Sequence, residues 1–115
     1  MIYYQGDNIK FNIGIKQISS SDEEDWSAFR SIIVYFWTDQ SFVAKFKNDQ
    51  EHGYETLTLS EDKKTISGTI PSEHTISMVG SMRMSIRVID NNGDIKTKDI
   101  PTRITIVSTP IKHEK

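Results

Sequence analysis

The chain of 115 residues has no cysteine, which excludes a disulfide framework and thiolate metal sites and leaves the redox compartment unread. Apolar runs are short. The longest, "IIVYFW" at 32–37, is six residues, against the roughly 20 that a spanning helix needs, so no membrane partner is expected. Charge of one sign is also missing: 14 basic and 16 acidic residues leave a formal −2. With no whole-domain basic field, nucleic acid is not an expected partner. The opening "MIYYQGDNIKFNIGIK" has neither a basic leader nor a small-residue cleavage site, so no secretory signal is expected and a cytoplasmic location is. No internal repeat and no linker interrupts the sequence. No window holds the i, i+3, i+4, i+7 spacing of an amphipathic helix for three turns, although "EEDWSAFRS" has room for one or two turns.

What the chain does contain is apolar residues at period two. Ile9, Phe11, Ile13 and Ile15 alternate with Lys10, Asn12, Gly14 and Lys16, which puts four apolar side chains on one face of a strand. The pattern returns at Phe42, Ala44 and Phe46, at Ile66, Gly68 and Ile70, and at Met82, Met84, Ile86 and Val88. Leu57 with Leu59, and Ile104 with Ile106, are shorter examples. "SIIVYFW" at 31–37 departs from it, being apolar or aromatic on both faces. Such a strand is central in a sheet and covered on both sides, or one of its faces meets a partner. Polar segments "SSSDEED", "KNDQEHG", "SEDKK" and "PSEH" separate the runs and read as loops. Short strands spaced by such loops predict an all-β antiparallel sandwich of seven or eight strands. At this length one core suffices, burying roughly two thirds of the surface that the unfolded chain exposes. We expect a single domain over 1–109 and a flexible tail at 110–115.

The pentad "DNNGD" at 90–94 raises the question of a cation loop. A helix-flanked calcium loop needs glycine at its sixth position and a bidentate glutamate at its twelfth. Counting from Asp90, glycine stands at the fourth and Pro101 at the twelfth, and the flanks alternate as strands. Asn-Gly between alternating runs signals a hairpin whose type I′ turn places both central residues at positive φ. We read a turn. His52, His74 and His113 are far apart, with no ligand spacing, and read as solvent-exposed. No nucleophile elbow and no phosphate-cradling glycine loop occurs, and the acids Asp22, Glu23, Glu24 and Asp25 read as a solvated loop. The expectation is therefore a non-enzyme without catalytic residues, metal, cofactor or small-molecule substrate.

Four aromatic residues are candidate binding residues: Tyr3, Tyr4, Trp26 and Phe29. Flat rings give large contact area at low entropic cost. The competing and favoured reading of Trp26 and Phe29, three apart in a short helical turn, is that they plug one end of the sandwich. Tyr3 and Tyr4 point to opposite faces of a first strand, so one is core and the other is available for contact.

The order of these features resembles the N-terminal domain of phage baseplate upper proteins and related prophage tail modules. The residues that carry the likeness are Gly6-Asp7 ahead of an alternating strand, the aromatic "IIVYFWTD", Gly80 before a long strand, the Asp90–Gly93 turn and a closing "ITI", over about residues 5–107. The chain departs from the family in having "DEEDWSAFRS" before the central strand. The resemblance implies an immunoglobulin-like sandwich that docks to tail or baseplate subunits or to itself, is made in the cytoplasm and ends in the virion. Edge strands then supply the contacts by strand addition, and we place these contacts at Ile2–Gly6 and in the loop from Ser19 to Trp26. The alternatives from other classes are a carbohydrate-binding or adhesive sandwich of a bacterial surface system and a small enzyme. The second would need a cleft with convergent ionisable groups.

Overall fold

The alternating runs become strands. β1 is Ile2–Tyr4, β2 Ile9–Gly14, β3 Phe29–Thr38, β4 Ser41–Lys47, β5 Glu55–Thr56, β6 Thr58–Leu59, β7 Thr65–Ile70, β8 Gly80–Asp90 and β9 Ile95–Val107, with a one-turn helix α1 at Ser72–Thr75. The structure is a computed structural model that describes residues 2–18, 25–39, 41–50, 52–76 and 79–108, of which 41–43 are described in backbone only. The expected tail, His113, and the loop acids Asp22, Glu23 and Glu24 lie outside the described residues.

Two sheets form. One has the order β1-β9-β8-β3-β4-β5 and the other β2-β7-β6. β1 runs parallel to β9 and β5 parallel to β4, and the other pairs are antiparallel. With β2 to β9 taken as the successive strands B to G, this places B, E and D in one sheet and G, F, C, C′ and C″ in the other. That is the layout of an immunoglobulin-like sandwich of the variable type. Among the described residues nine strands stand where seven or eight were expected, but β5 and β6 are a single stretch in which the chain crosses between the sheets. Leu57 is the pivot, buried, with its N–H donating to Lys47 O at 2.9 Å. The crossing breaks the expected alternation: Leu57 is core, whereas Leu59 is 44% exposed.

The core lies where the inner faces meet. Ile9 and Ile13 of β2 and Ile66 and Ile70 of β7 face Ile32, Val34 and Phe36 of β3, Phe46 of β4 and Met82 to Val88 of β8. Immunoglobulin domains of antibodies pin their two sheets with a disulfide. Here an aromatic cluster bridges them: Phe11 stands 4.7 Å from Phe36 and 4.9 Å from Phe46 between ring centroids, and Phe36 is 5.8 Å from Phe46. Tilted and edge-on pairs at such distances contribute about 0.5–1.5 kcal/mol each beyond their burial.

Several local expectations need correction. Strand β2 ends at Gly14, and Ile15 begins a 3-10 turn (Ile15–Gln17) while remaining buried. "PSEH" is mostly helix, because Pro71 starts a single turn whose His74 N–H donates to Pro71 O. The 90–94 hairpin is real, with Ile89 opposite Ile95, but its turn is not type I′. Gly93 has φ +92°, whereas Asn92 is absent from the positive-φ residues. Gly93 N–H donates to Asp90 O and Asp90 N–H to Asp94 O, the pattern of a type I turn closed by a left-handed glycine. Asp90 Oδ1 accepts from the N–H groups of Asn92 and Asp94 at 2.8 and 3.0 Å, so this carboxylate oxygen serves the turn.

Candidate functional site

β1 is an edge strand, and its neighbour on one side is β9. Tyr3 packs against the core, whereas Ile2 is 64% and Tyr4 43% exposed, as alternation on a first strand requires. The chain then turns at Gly6-Asp7, and the turn is held from across the fold. Thr75 is fully buried on α1; its hydroxyl accepts from Gly6 N–H at 3.1 Å and donates to Asp7 O at 2.8 Å. Asp7 closes the turn by accepting from Tyr4 N–H at 2.9 Å. Gly6 has φ +88°, so the Gly-Asp pair is a structural requirement of the β1–β2 corner.

Trp26 and Phe29 are brought together, with ring centroids 6.0 Å apart, at the end of the sandwich. Asp25 caps the 3-10 turn Trp26–Ala28 by accepting from Ser27 N–H at 2.9 Å and from the Ser27 hydroxyl. These hydrogen bonds hold the Asp25 carboxyl below its usual range. Trp26 is 1% exposed, its N–H donates to Lys63 O and its indole N–H to Lys64 O at 3.1 Å. This corrects Trp26 as a binding candidate: its ring and its one side-chain donor are committed to the core, so it offers no platform. Phe29 is half-buried against that core.

The two clefts beside β9 owe their shape to a bulge. Met84 pairs with Ile100 and Met82 with Ile104, so three residues of β9 oppose one of β8. Pro101 is tolerated there because its missing N–H interrupts no regular ladder. The Thr102 hydroxyl donates to Met82 O at 2.6 Å. A cleft of about 260 Å³ opens between β2 and β9, with Tyr3, Phe11, Phe36 and Ile104 among its walls.

The outer face of the six-stranded sheet carries the groups that the sequence reading passed over. On β3, Ile32, Val34 and Phe36 point inward, and Ile33, Tyr35 and Trp37 therefore lie half-buried on the outside. Their neighbours in register are Lys47 and Arg87 for Ile33, Lys45 and Ser85 for Tyr35, and Arg83 for Trp37. Tyr54, from the loop before β5, covers one side of this face: Lys45 Nζ lies 4.5 Å and Lys47 Nζ 5.9 Å from its ring centroid. A hydrogen bond with Tyr54, together with burial, raises the Tyr35 phenol above its usual pKa. The run "SIIVYFW", apolar on both faces, was the sequence signal for this surface, while the part of Tyr54 required the tertiary fold.

His74, expected in solvent, is half-buried with Nε2 3.4 Å from Glu55 Oε2. Among the described residues no group of three or more His, Asp or Glu is placed to hold a metal ion, and no helix is long and apolar enough to cross a membrane.

No protein-family model matches the chain, and no curated protein does. Among solved structures, the chain is similar to the first Ig-like domain of the human CD48 antigen, at 16% identity and a TM-score of 0.44, over 100% of this chain and 89% of that one. The strand order assigns the fold without that likeness: this chain is an all-β, immunoglobulin-like sandwich.

Proposed function

We propose that the chain is a non-catalytic protein-docking module, and that the assembly it serves is a phage or prophage tail or baseplate, as the resemblance carried by Gly6-Asp7, Gly80 and the Asp90–Gly93 turn implies. The observation that supports the docking reading is the edge strand β1, which presents Ile2 and Tyr4 to solvent while Tyr3 anchors it from within. An edge strand has backbone groups that an incoming strand can bond; Asp7 holds those of Tyr4, so strand addition would use the groups of Ile2, with the exposed alternate side chains giving selectivity. Of the second contact region expected, Ser19 to Trp26, residues 19–24 lie outside the described residues.

The test is co-expression with the proteins encoded beside this gene, followed by co-purification. A stable complex with a tail or baseplate protein, lost in Ile2→Asp and Tyr4→Ala while circular dichroism is unchanged, supports the reading. Retention on immobilised glycans with no protein complex overturns it in favour of a carbohydrate-binding sandwich.

A further inference from the structure

We propose that the outer face of the six-stranded sheet, centred on Tyr35 and Tyr54, docks an acidic segment of a partner protein, whose Asp or Glu carboxylate is received between Lys45 and Arg87. The inference rests on the docking reading and names the partner's chemistry.

Charge is distributed unevenly over this face. Arg83 meets Asp39 at 3.3 Å and Lys47 meets Asp49 at 3.8 Å, so two of its cations have acids of their own chain. Asp99 stands in the same row as Tyr35, opposite Ser85, and lines a cleft with Trp37 and Arg83. Two further cations lie around Tyr35. Lys45 is directly opposite it on β4, and Arg87 lies diagonally across β8, opposite Ile33. Both cations act electrostatically on the Tyr35 phenol. Among the described residues neither meets a carboxylate: Lys45 rests over the Tyr54 ring, and Arg87 Nε donates to the Thr97 hydroxyl at 3.1 Å.

Two cations and two phenolic hydroxyls thus gather on a pleated surface that also carries the apolar groups of Ile33 and Trp37. Aromatic rings with a cation supply the contact area and the fork that a docked carboxylate needs, and flanking apolar groups exclude water from the pair. The chain as a whole is −2, so this centre is a local feature with no far field behind it. A nucleic acid would need a basic track long enough to neutralise several phosphates, and a second copy would bring cations against cations across a two-fold axis. Both considerations favour an acidic protein segment as the occupant.

The experiment is amide and indole NMR titration of the intact chain with a short synthetic peptide of alternating Glu and Val, and with its Gln-for-Glu counterpart. The expected result is shifts confined to Tyr35, Lys45, Tyr54, Arg87 and the Trp37 indole. Affinity should be roughly tenfold weaker for the Gln peptide, and again for the Lys45→Glu/Arg87→Glu variant, since losing a charged hydrogen bond costs about that factor. Both substituted positions lie on the outer face, and an unchanged spectrum elsewhere shows that the variant is folded. Shifts away from this face, equal binding of the two peptides, or no shift at all overturns the proposal. Tighter binding of heparin or of an oligothymidylate at the same residues overturns it in favour of a polyanion, and shifts that follow the protein's own concentration overturn it in favour of self-association. Because the β1 variants and the co-purified complex are read separately, this face can fail while the docking function stands.

Discussion

Gly68 of β7 lies opposite Phe11 of β2 so closely that a methyl group in place of its hydrogen would stand 2.9 Å from the Phe11 ring and 2.9 Å from the Phe46 ring. A glycine inside a strand usually weakens it, and here it makes room for the aromatic cluster that joins the two sheets. Gly68→Ala is therefore expected to destabilise by about 1–3 kcal/mol, the cost of overpacking a filled core. Urea unfolding followed by tryptophan fluorescence would show a lower midpoint at unchanged slope. Adding Phe11→Leu should recover part of the loss, because the clash needs both partners.

Trp26 gives a second prediction. If the ring plugs the end of the sandwich, Trp26→Ala should cost about 3–5 kcal/mol, as large-to-small changes of buried aromatic residues do. Trp26→Phe should cost less but lose the bond to Lys64 O, about 1 kcal/mol. A near-neutral Trp26→Ala in thermal unfolding would return Trp26 to the list of contact residues.

The architecture was legible in the sequence because alternation is a local property. Ile9 to Ile13 and Met82 to Val88 announce which face is buried without any knowledge of the partner strand. What was not legible depends on meetings between distant segments. Nothing local in "ETLTL" says that Leu57 carries the chain from one sheet to the other, and that crossing is what exposes Leu59. Asn92-Gly93 promised a type I′ turn, but Asp90 Oδ1 bonding two N–H groups favours the alternative geometry, so turn chemistry overrode a dipeptide preference. The aromatic candidates were named by type and placed by local spacing. Spacing had favoured Trp26 as a plug and alternation had left one of Tyr3 and Tyr4 outside; burial puts Trp26 in the core and Tyr4 outside, while Tyr54 joined Tyr35 only through folding.

The edge of the smaller sheet yields a backbone prediction. Ile15 N–H donates to Lys64 O, and antiparallel pairing alternates, so Ile13, Phe11 and Ile9 turn their peptide groups toward β7 while Lys10, Asn12 and Gly14 turn theirs away. On β7's other side, Ser60 N–H donates to Thr65 O, which by the same alternation directs the Ser67 peptide at Thr58. Asn12 and Ser67 are register partners, yet proline should discriminate between them. Asn12→Pro removes a donor that points away from the sheet and should cost under about 1 kcal/mol, whereas Ser67→Pro breaks a ladder bond in a central strand and should cost about 3 kcal/mol or more. Equal losses in chemical denaturation would mean that the β2 edge is paired.

The last prediction concerns ionisation on the outer face. The hydrogen bond with Tyr54 is the largest cause of the raised Tyr35 pKa, followed by burial, with Lys45 and Arg87 opposing. Removing the acceptor by Tyr54→Phe should therefore lower the Tyr35 midpoint, read from tyrosinate absorbance or the ring carbon shift, while Lys45→Met should raise it further. The sign for stability follows. A phenol whose folded pKa exceeds its unfolded value of about 10 contributes stability that is complete below that pH and is lost as pH rises through the folded pKa. Tyr54→Phe should thus be less stable than the parent chain below about pH 10 and lose less as pH rises further, so that the two converge in alkali. A Tyr35 midpoint unmoved by Tyr54→Phe would show that the Tyr54 hydroxyl does not accept from Tyr35.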